Sequence, residues 1–223
     1  MSHTYVIVGS DTEVGKTYVS CGILRAARRA SLSSCGLKPI ESGIEILTPD
    51  SEDGARLASA ANQGQPTQAL IRLDAPVAPP LAAERQGVTL DWSSLMDTVD
   101  GYLSSADVTL VEGAGGLLSP LLWNKTAMDI ASRIHAPMLL VVADKLGAVH
   151  QTRVSVMAAR SKGIAVAAVV LNGGVVEDET TGHNQAALKK CPEWQAADAP
   201  VIVDVPFNAS ETAFDALLRT LVS

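Results

Sequence analysis

Short apolar runs recur along the chain with little polar alternation: TYVIVG (4–9), CGLKPI (35–40), DVTLVEG (107–113), PMLLVVAD (137–144), VAAVVLNG (166–173) and PVIVDVP (200–206). Runs of this length and composition predict strands buried on both faces of a parallel sheet. Between them, helical patterns fall near 16–29, 53–62, 91–104, 126–134, 147–162, 182–190 and 210–222. Strand and helix alternating through short connections predict a doubly wound α/β fold, a mostly parallel sheet with helices on both faces. Residues 64–90 are broken by Pro66, Pro76, Pro79 and Pro80 and read as an irregular excursion from the sheet, the kind of segment that often carries binding residues. At 223 residues the chain has room for one sizeable domain, expected over 1–223, and little for a second core.

Composition narrows the function classes. The chain is 47% hydrophobic and 18% charged, with a formal net charge of −7. That balance is ordinary for a folded globule and argues against a nucleic-acid binder, which needs clustered Lys and Arg to neutralise phosphates. The dense basic cluster Arg25-Ala-Ala-Arg28-Arg29 is expected to decorate the C-terminal end of the first helix, where the dipole favours cations. Cys21, Cys35 and Cys191 show no metal-ligand spacing and read as thiols of a reducing compartment. With no secretory pattern at the N-terminus and no apolar run near the roughly 18–20 residues of a membrane span, a cytoplasmic location without membrane contact is expected.

In open α/β sheets ligands sit beyond the carboxyl ends of the strands. The first such end reads GSDTEVGKT (9–17). Strand, polar loop, Gly15-Lys16-Thr17 and then helix is the order of a phosphate loop, in which backbone N–H groups and a helix N-terminus cradle phosphates. In that setting Lys16 reaches the β/γ oxygens and the Thr17 hydroxyl meets Mg²⁺. The usual pattern wants glycine at position 10; here it stands one place early, at Gly9, with Ser10 after it. Glu112 closes another buried run, where the second Mg²⁺ contact of a phosphate-loop enzyme is usually found, or where a carboxylate simply caps the next segment. Asp53, at a helix start, is by itself more often a helix-start charge than a ligand. Lys38 in GLKPIESG is either a cation held to meet developing negative charge or a solvated lysine at a loop start. Ser42-Gly43 is a substrate contact or a turn.

Taken together, GSDTEVGKT (9–17), KPIESG (38–43), VEGAGGLLSPL (111–121), KLG (145–147) and Asn172 in VVLNGG resemble the dethiobiotin synthetases, in that family's order and near its spacing over almost the whole chain. The glycine shift at Gly9 is also the family's pattern. The resemblance implies a P-loop NTPase-like fold and a Mg²⁺- and ATP-dependent ligase. It would close a ureido ring on 7,8-diaminopelargonate with CO₂, through a carbamate and a carbamic–phosphoric anhydride. It implies that Glu13, Val14, Gly15, Lys16, Thr17 and Tyr18 form the triphosphate loop. Thr17, Asp53 and Glu112 would hold magnesium, and Gly113, Ala114 and Gly115 would pass close to the nucleotide. Lys16 and Lys38, with Thr12 nearby, would stabilise charge on the carbamate and the phosphoryl group. Asn172 and Gly173 would meet the adenine edge, with Pro206, Phe207, Asn208 and Glu211 closing the nucleoside pocket. Ser42 would contact the diamine, and Gly147, Ala148, Val149 and His150 would form the helix start that grips the substrate carboxylate across a homodimer. This chain departs from the family on the diamine side: Ala78-Pro79-Pro80 stands for a common Ser-Pro-His element, and His150-Gln151 for an Asn-His pair.

Competing readings are a partition- or septum-positioning-type ATPase switch, a glutamine-dependent cobyrinate amidase, or a related ligase acting on a different amine. The first carries a signature lysine five residues before the phosphate-loop lysine, and this chain has Asp11 there, beside the expected γ-phosphate. The second needs a glutaminase domain for which the chain is too short. The third is carried by the departures at Ala78, Pro80 and His150.

Overall fold

A computed structural model describes residues 2–46, 48–104 and 106–222. Six strands form one parallel sheet: β1 (His3–Gly9), β2 (Ser34–Leu37), β5 (Val108–Gly116), β8 (Met138–Ala143), β9 (Val166–Asn172) and β10 (Val201–Val205). Their spatial order is β10-β9-β8-β1-β5-β2, so β1 lies centrally between β8 and β5.

The lack of alternation in the strands has a direct cause. In β1, Val6 and Val8 face one core while Tyr5 and Ile7 face the other; in β8, Met138, Leu140 and Val142 oppose Leu139 and Val141. Successive strand side chains point to opposite faces, so apolar residues at every position mean helices cover both. One face is covered by α1 (Lys16–Arg29), α2 (Asp53–Ala61) and α8 (Glu211–Val222), the other mainly by α3 (Pro79–Gln86), α4 (Trp92–Asp100), α5 (Ala127–Ile134), α6 (Ala148–Ser161) and α7 (Asn184–Leu188). Arg29, at the end of α1, is engaged rather than merely solvated, with its guanidinium 2.6 Å from Asp215 of α8.

Four expected spans need correction. The run 35–40 is not one strand: β2 ends at Leu37, and β3 (Ile40–Ser42) pairs in parallel with β4 (Ile71–Leu73) in a separate small sheet. Lys38-Pro39 is the junction, and proline there supplies no ladder N–H. The 64–90 excursion holds regular structure in β4 and α3, whose first turn begins with Pro79-Pro80, where a missing N–H costs least. Helix 91–104 stops at Asp100 before Gly101, and helix 182–190 contracts to Asn184–Leu188. A small hairpin, β6 (Pro120–Leu122) with β7 (Lys125–Thr126), follows β5. Among the described residues no helix is long and apolar enough to cross a membrane, and the three cysteines are thiols, Cys21 and Cys35 buried.

Candidate active site

The loop between β1 and α1 accounts for the displaced glycine. A Cβ at Gly9 would meet the Asp11 carbonyl oxygen at 2.6 Å and Lys16 Nζ at 3.0 Å, because the loop folds back over the strand end there. Position 10 is under no such constraint, and the Ser10 hydroxyl donates to Gln151 Oε1 of α6 at 3.1 Å. Gly15 caps α1 at φ +91°, and a Cβ there would lie 2.2 Å from Asn172 Nδ2. That amide donates in turn to the Val14 carbonyl at 3.0 Å, stitching the end of β9 to the loop. The N-terminus of α1 carries no side-chain cap and no acidic residue in its first turn, so its N–H groups and positive dipole end stay available to an anion.

Four expected residues from distant parts of the chain meet at the base of this loop. Thr17 Oγ1 lies 2.7 Å from Asp53 Oδ1 and 2.8 Å from Glu112 Oε1. Lys38 Nζ donates to Asp53 Oδ2 at 2.8 Å, to Glu112 Oε1 at 2.9 Å and to the Gly113 carbonyl at 3.3 Å. Lys38 is 3% exposed and Glu112 fully buried, so the solvated-lysine reading of Lys38 fails. Burial pulls the Lys38 ammonium down, but the carboxylates of Glu112 and Asp53 outweigh it and hold the group above the ordinary lysine value. Burial likewise pushes Asp53 up, and Lys38, by charge and hydrogen bond, brings it below the usual carboxylate range. Lys16 is pulled below its ordinary value, by burial first and by the neighbouring Lys38 charge second. Its Nζ rests on the Asp11 carbonyl at 3.1 Å.

Residues that the sequence pattern did not single out complete this cluster. The Glu41 carboxylate accepts the N–H of Asp53 at 2.6 Å and of Gly54 at 3.0 Å, capping α2 and fixing where Asp53 stands. Burial raises the Glu41 pKa above the usual value. The Ser20 hydroxyl donates to Glu112 Oε2 at 2.7 Å.

Among the described residues no group of three or more His, Cys, Asp or Glu side chains stands ready to hold a metal. Two carboxylates and a hydroxyl converging on one point are instead the sparse, all-oxygen set suited to Mg²⁺, which keeps water and phosphate oxygens for its other positions. The donor set therefore fits that ion.

The remaining expected residues fall in two places. At the carboxyl ends of β8, β9 and β10 a cavity of about 200 Å³ is lined by Asp144, Gly173, Glu177, Asp204, Pro206 and Phe207. Asn172 stands beside it, its Oδ1 buried without a hydrogen-bond partner among the described residues. Asn208 is exposed at φ +53°. Glu211 opens α8 with its carboxylate 3.3 Å from Arg29. Tyr18 packs edge-on against Phe214, ring centroids 5.6 Å apart. Thr12 and Glu13 are exposed on the loop, and Ala114 and Gly115 are half-buried at the end of β5. On the other side, the Ser42 hydroxyl donates to the Val77 carbonyl at 2.7 Å, tying the excursion to the end of β3. Gly147, at φ +96°, caps α6, followed by buried Ala148, half-buried Val149 and exposed His150. The side chain of this turn that meets the phosphate loop is Gln151.

A parallel sheet with a phosphate loop after its central strand and a buried carboxylate on the adjacent strand defines a P-loop NTPase-like α/β protein. The fold is similar to that of the ParA protein of pNOB8 bound to nonspecific DNA, with a TM-score of 0.61 at 12% identity, covering 100% of this chain and 98% of that one. A family model described as "AAA domain" matches residues 3–213. An ATP-dependent dethiobiotin synthetase of Anaeromyxobacter sp. (strain K) is 38% identical over 175 residues, covering 78% of each chain. One from Caulobacter vibrioides (strain NA1000 / CB15N) is 33% identical over 211 residues, 89% of this chain and 96% of the relative. The chain belongs to the dethiobiotin synthetase family and is an ATP-dependent ligase.

Proposed function

We propose that this enzyme carboxylates 7,8-diaminopelargonate and closes its ureido ring at the expense of ATP, giving dethiobiotin, ADP and phosphate. The observation that carries the reading is the buried Thr17–Lys38–Asp53–Glu112 cluster beneath the phosphate loop. One amine of the substrate attacks CO₂ and loses a proton, giving a carbamate. A carbamate oxygen attacks the γ-phosphorus, whose bond to the ADP oxygen breaks. The second amine then attacks the carbamoyl carbon and loses a proton, and phosphate departs, carrying away the oxygen that was phosphorylated. Phosphorylation turns a poor leaving oxygen into a good one; the protein's part is positioning and charge stabilisation.

In this reading the α1 N-terminus and Lys16 bind the phosphates, and Lys38 meets the charge that grows on the carbamate and the transferred phosphoryl group. Thr17, Asp53 and Glu112 would hold Mg²⁺, which when bound with the nucleotide neutralises phosphate charge. The orphaned Asn172 Oδ1 is an acceptor suited to an exocyclic amino group such as that of adenine, and Phe207 offers a half-exposed ring at the mouth of the cavity. We further propose a cytoplasmic homodimer built on the whole chain as one domain. His150, Val154 and Met157 fall at i, i+4 and i+7 on α6, and Val154, Met157 and nearby Leu118 and Leu146 are exposed apolar residues beside the site, which supports a second copy covering that face.

Incubation with the diamine, ¹³C-bicarbonate and Mg-ATP is expected to give a ureido product carrying one labelled carbon; its absence would refute the reaction. Within it, His150 donates to the substrate carboxylate at a helix N-terminus. His150→Ala is expected to raise the diamine KM about tenfold, the worth of one hydrogen bond to a charged group, and to leave the ATP KM within about twofold. An unchanged diamine KM would count against that role.

A further inference from the structure

We propose that Ser20 is a positioning residue that fixes the orientation of the Glu112 carboxylate toward the metal. The inference rests on the Mg-ATP reading of the site given above. Ser20 lies on α1 three residues after Thr17, on the same helix face, and is fully buried. A serine in a helix interior ordinarily turns its hydroxyl to solvent or back to the carbonyl four residues earlier. Ser20 instead donates to Glu112 Oε2 at 2.7 Å, across 92 residues of sequence. Alanine is the better helix former at such a position, so helix formation does not account for the hydroxyl.

The two Glu112 oxygens consequently have different work. Oε2 is held by Ser20, while Oε1 faces Thr17 Oγ1 at 2.8 Å and Lys38 Nζ at 2.9 Å. The terminal torsion of a glutamate is broad and nearly two-fold, so nothing in the side chain itself keeps one oxygen aimed at the site. Mg²⁺ demands near-ideal octahedral geometry and tolerates a misdirected ligand poorly. Without the Ser20 hydroxyl, Oε2 would be a buried acceptor with no partner, and the carboxylate would turn to recover one from the groups now serving Oε1. Outer hydrogen bonds that orient a ligating carboxylate are typically worth about 10–100-fold in metal affinity.

The test compares wild type, Ser20→Ala, Ser20→Cys and Ser20→Thr as full chains. Mn²⁺ affinity is read by electron paramagnetic resonance in the presence of a non-hydrolysable ATP analogue. The Mg²⁺ dependence of turnover, the diamine KM and thermal unfolding in metal-free buffer are measured alongside. S20A is expected to weaken Mn²⁺ binding about 10–100-fold and to raise the half-saturating Mg²⁺ concentration by the same factor. The diamine KM should stay within about twofold, and S20T, which keeps the hydroxyl, should recover most of the affinity. S20C, close in volume but a weak donor, should behave as S20A and serves in its place should S20A not fold. A lowered Tm with wild-type Mn²⁺ affinity, in S20A or S20C, would reduce Ser20 to a packing residue and overturn the proposal. Wild type that binds Mn²⁺ and nucleotide but yields no ureido product would sink the substrate reading and leave this one standing; wild type that binds no Mn²⁺ would sink both.

Discussion

Lys38→Met is expected to lower turnover by about 10²–10³-fold, the usual consequence of removing one charge-stabilising donor, and to make folding stability depend on Mg²⁺. The second effect follows from where the ammonium sits. Lys38 is almost fully buried and is the cation that both Asp53 and Glu112 face, at 2.8 and 2.9 Å. Methionine leaves two carboxylates, one of them fully buried, without the ammonium that hydrogen-bonds to both. Removing one partner of a buried pair costs about 3–5 kcal/mol. For a chain of this size each kcal/mol is worth roughly 2–4 °C in Tm, so metal-free K38M should unfold about 6–20 °C below wild type. Mg²⁺ can restore the missing positive charge at the same oxygens, so millimolar Mg²⁺ should recover much of that loss in K38M while moving wild type little. Calorimetry with and without a chelator reads both numbers. A metal-free K38M as stable as wild type would mean the ion triad does not matter to the fold, and near-normal turnover would remove Lys38 from the chemistry.

Gly15→Ala should cost about 10²-fold or more in ATP affinity. A non-glycine residue in the left-handed region is penalised by about 1–2 kcal/mol, and here the added Cβ would also stand 2.2 Å from Asn172 Nδ2. Relief requires Asn172 to swing away, which breaks its bond to the Val14 carbonyl and frees the loop that cradles the phosphates. At about 1.4 kcal/mol per decade, strain and a lost hydrogen bond together reach that factor. Because the two residues are in contact, the effects should not add. Gly15→Ala with Asn172→Ala removes the clash, and the double variant should bind ATP no worse than G15A alone. Equilibrium binding of a fluorescent ATP analogue measures this. Wild-type affinity in G15A would contradict the packing of β9 on the loop.

What could be read in advance divides along physical lines. Strands buried on both faces announce themselves through uninterrupted apolar runs, and β1, β5, β8, β9 and β10 were legible for that reason. The β2–β3 break was not, because Lys38 and Pro39 sit inside an otherwise apolar stretch and the small β3–β4 pair depends on a partner some 30 residues away. In α3, Pro79-Pro80 opens a helix, although prolines within an irregular segment read locally as breaks. At the site, Lys16 and Thr17 are legible from the motif and Glu112 from its place at the end of a buried run. Position alone leaves Lys38 open between two roles and makes Asp53 a helix-start charge, and only the family resemblance draws both into the site. Ser20 and Glu41 are not legible, since a serine inside a helix and a glutamate inside a three-residue strand carry no local signal. Their significance comes from Glu112 and from the N–H groups of Asp53 and Gly54, which only the fold brings close. The displaced glycine is visible in the sequence, but its cause, the loop folding back over Gly9, is a property of the fold.

Diamine-dependent ligation is tested by the release of ADP from the wild-type protein supplied with Mg-ATP and bicarbonate, with and without 7,8-diaminopelargonate. ADP release is expected to depend on the diamine and to match, mole for mole, a new ureido product. ATP bound tightly but turned over at the same slow rate with or without the diamine, and with no such product, would contradict it.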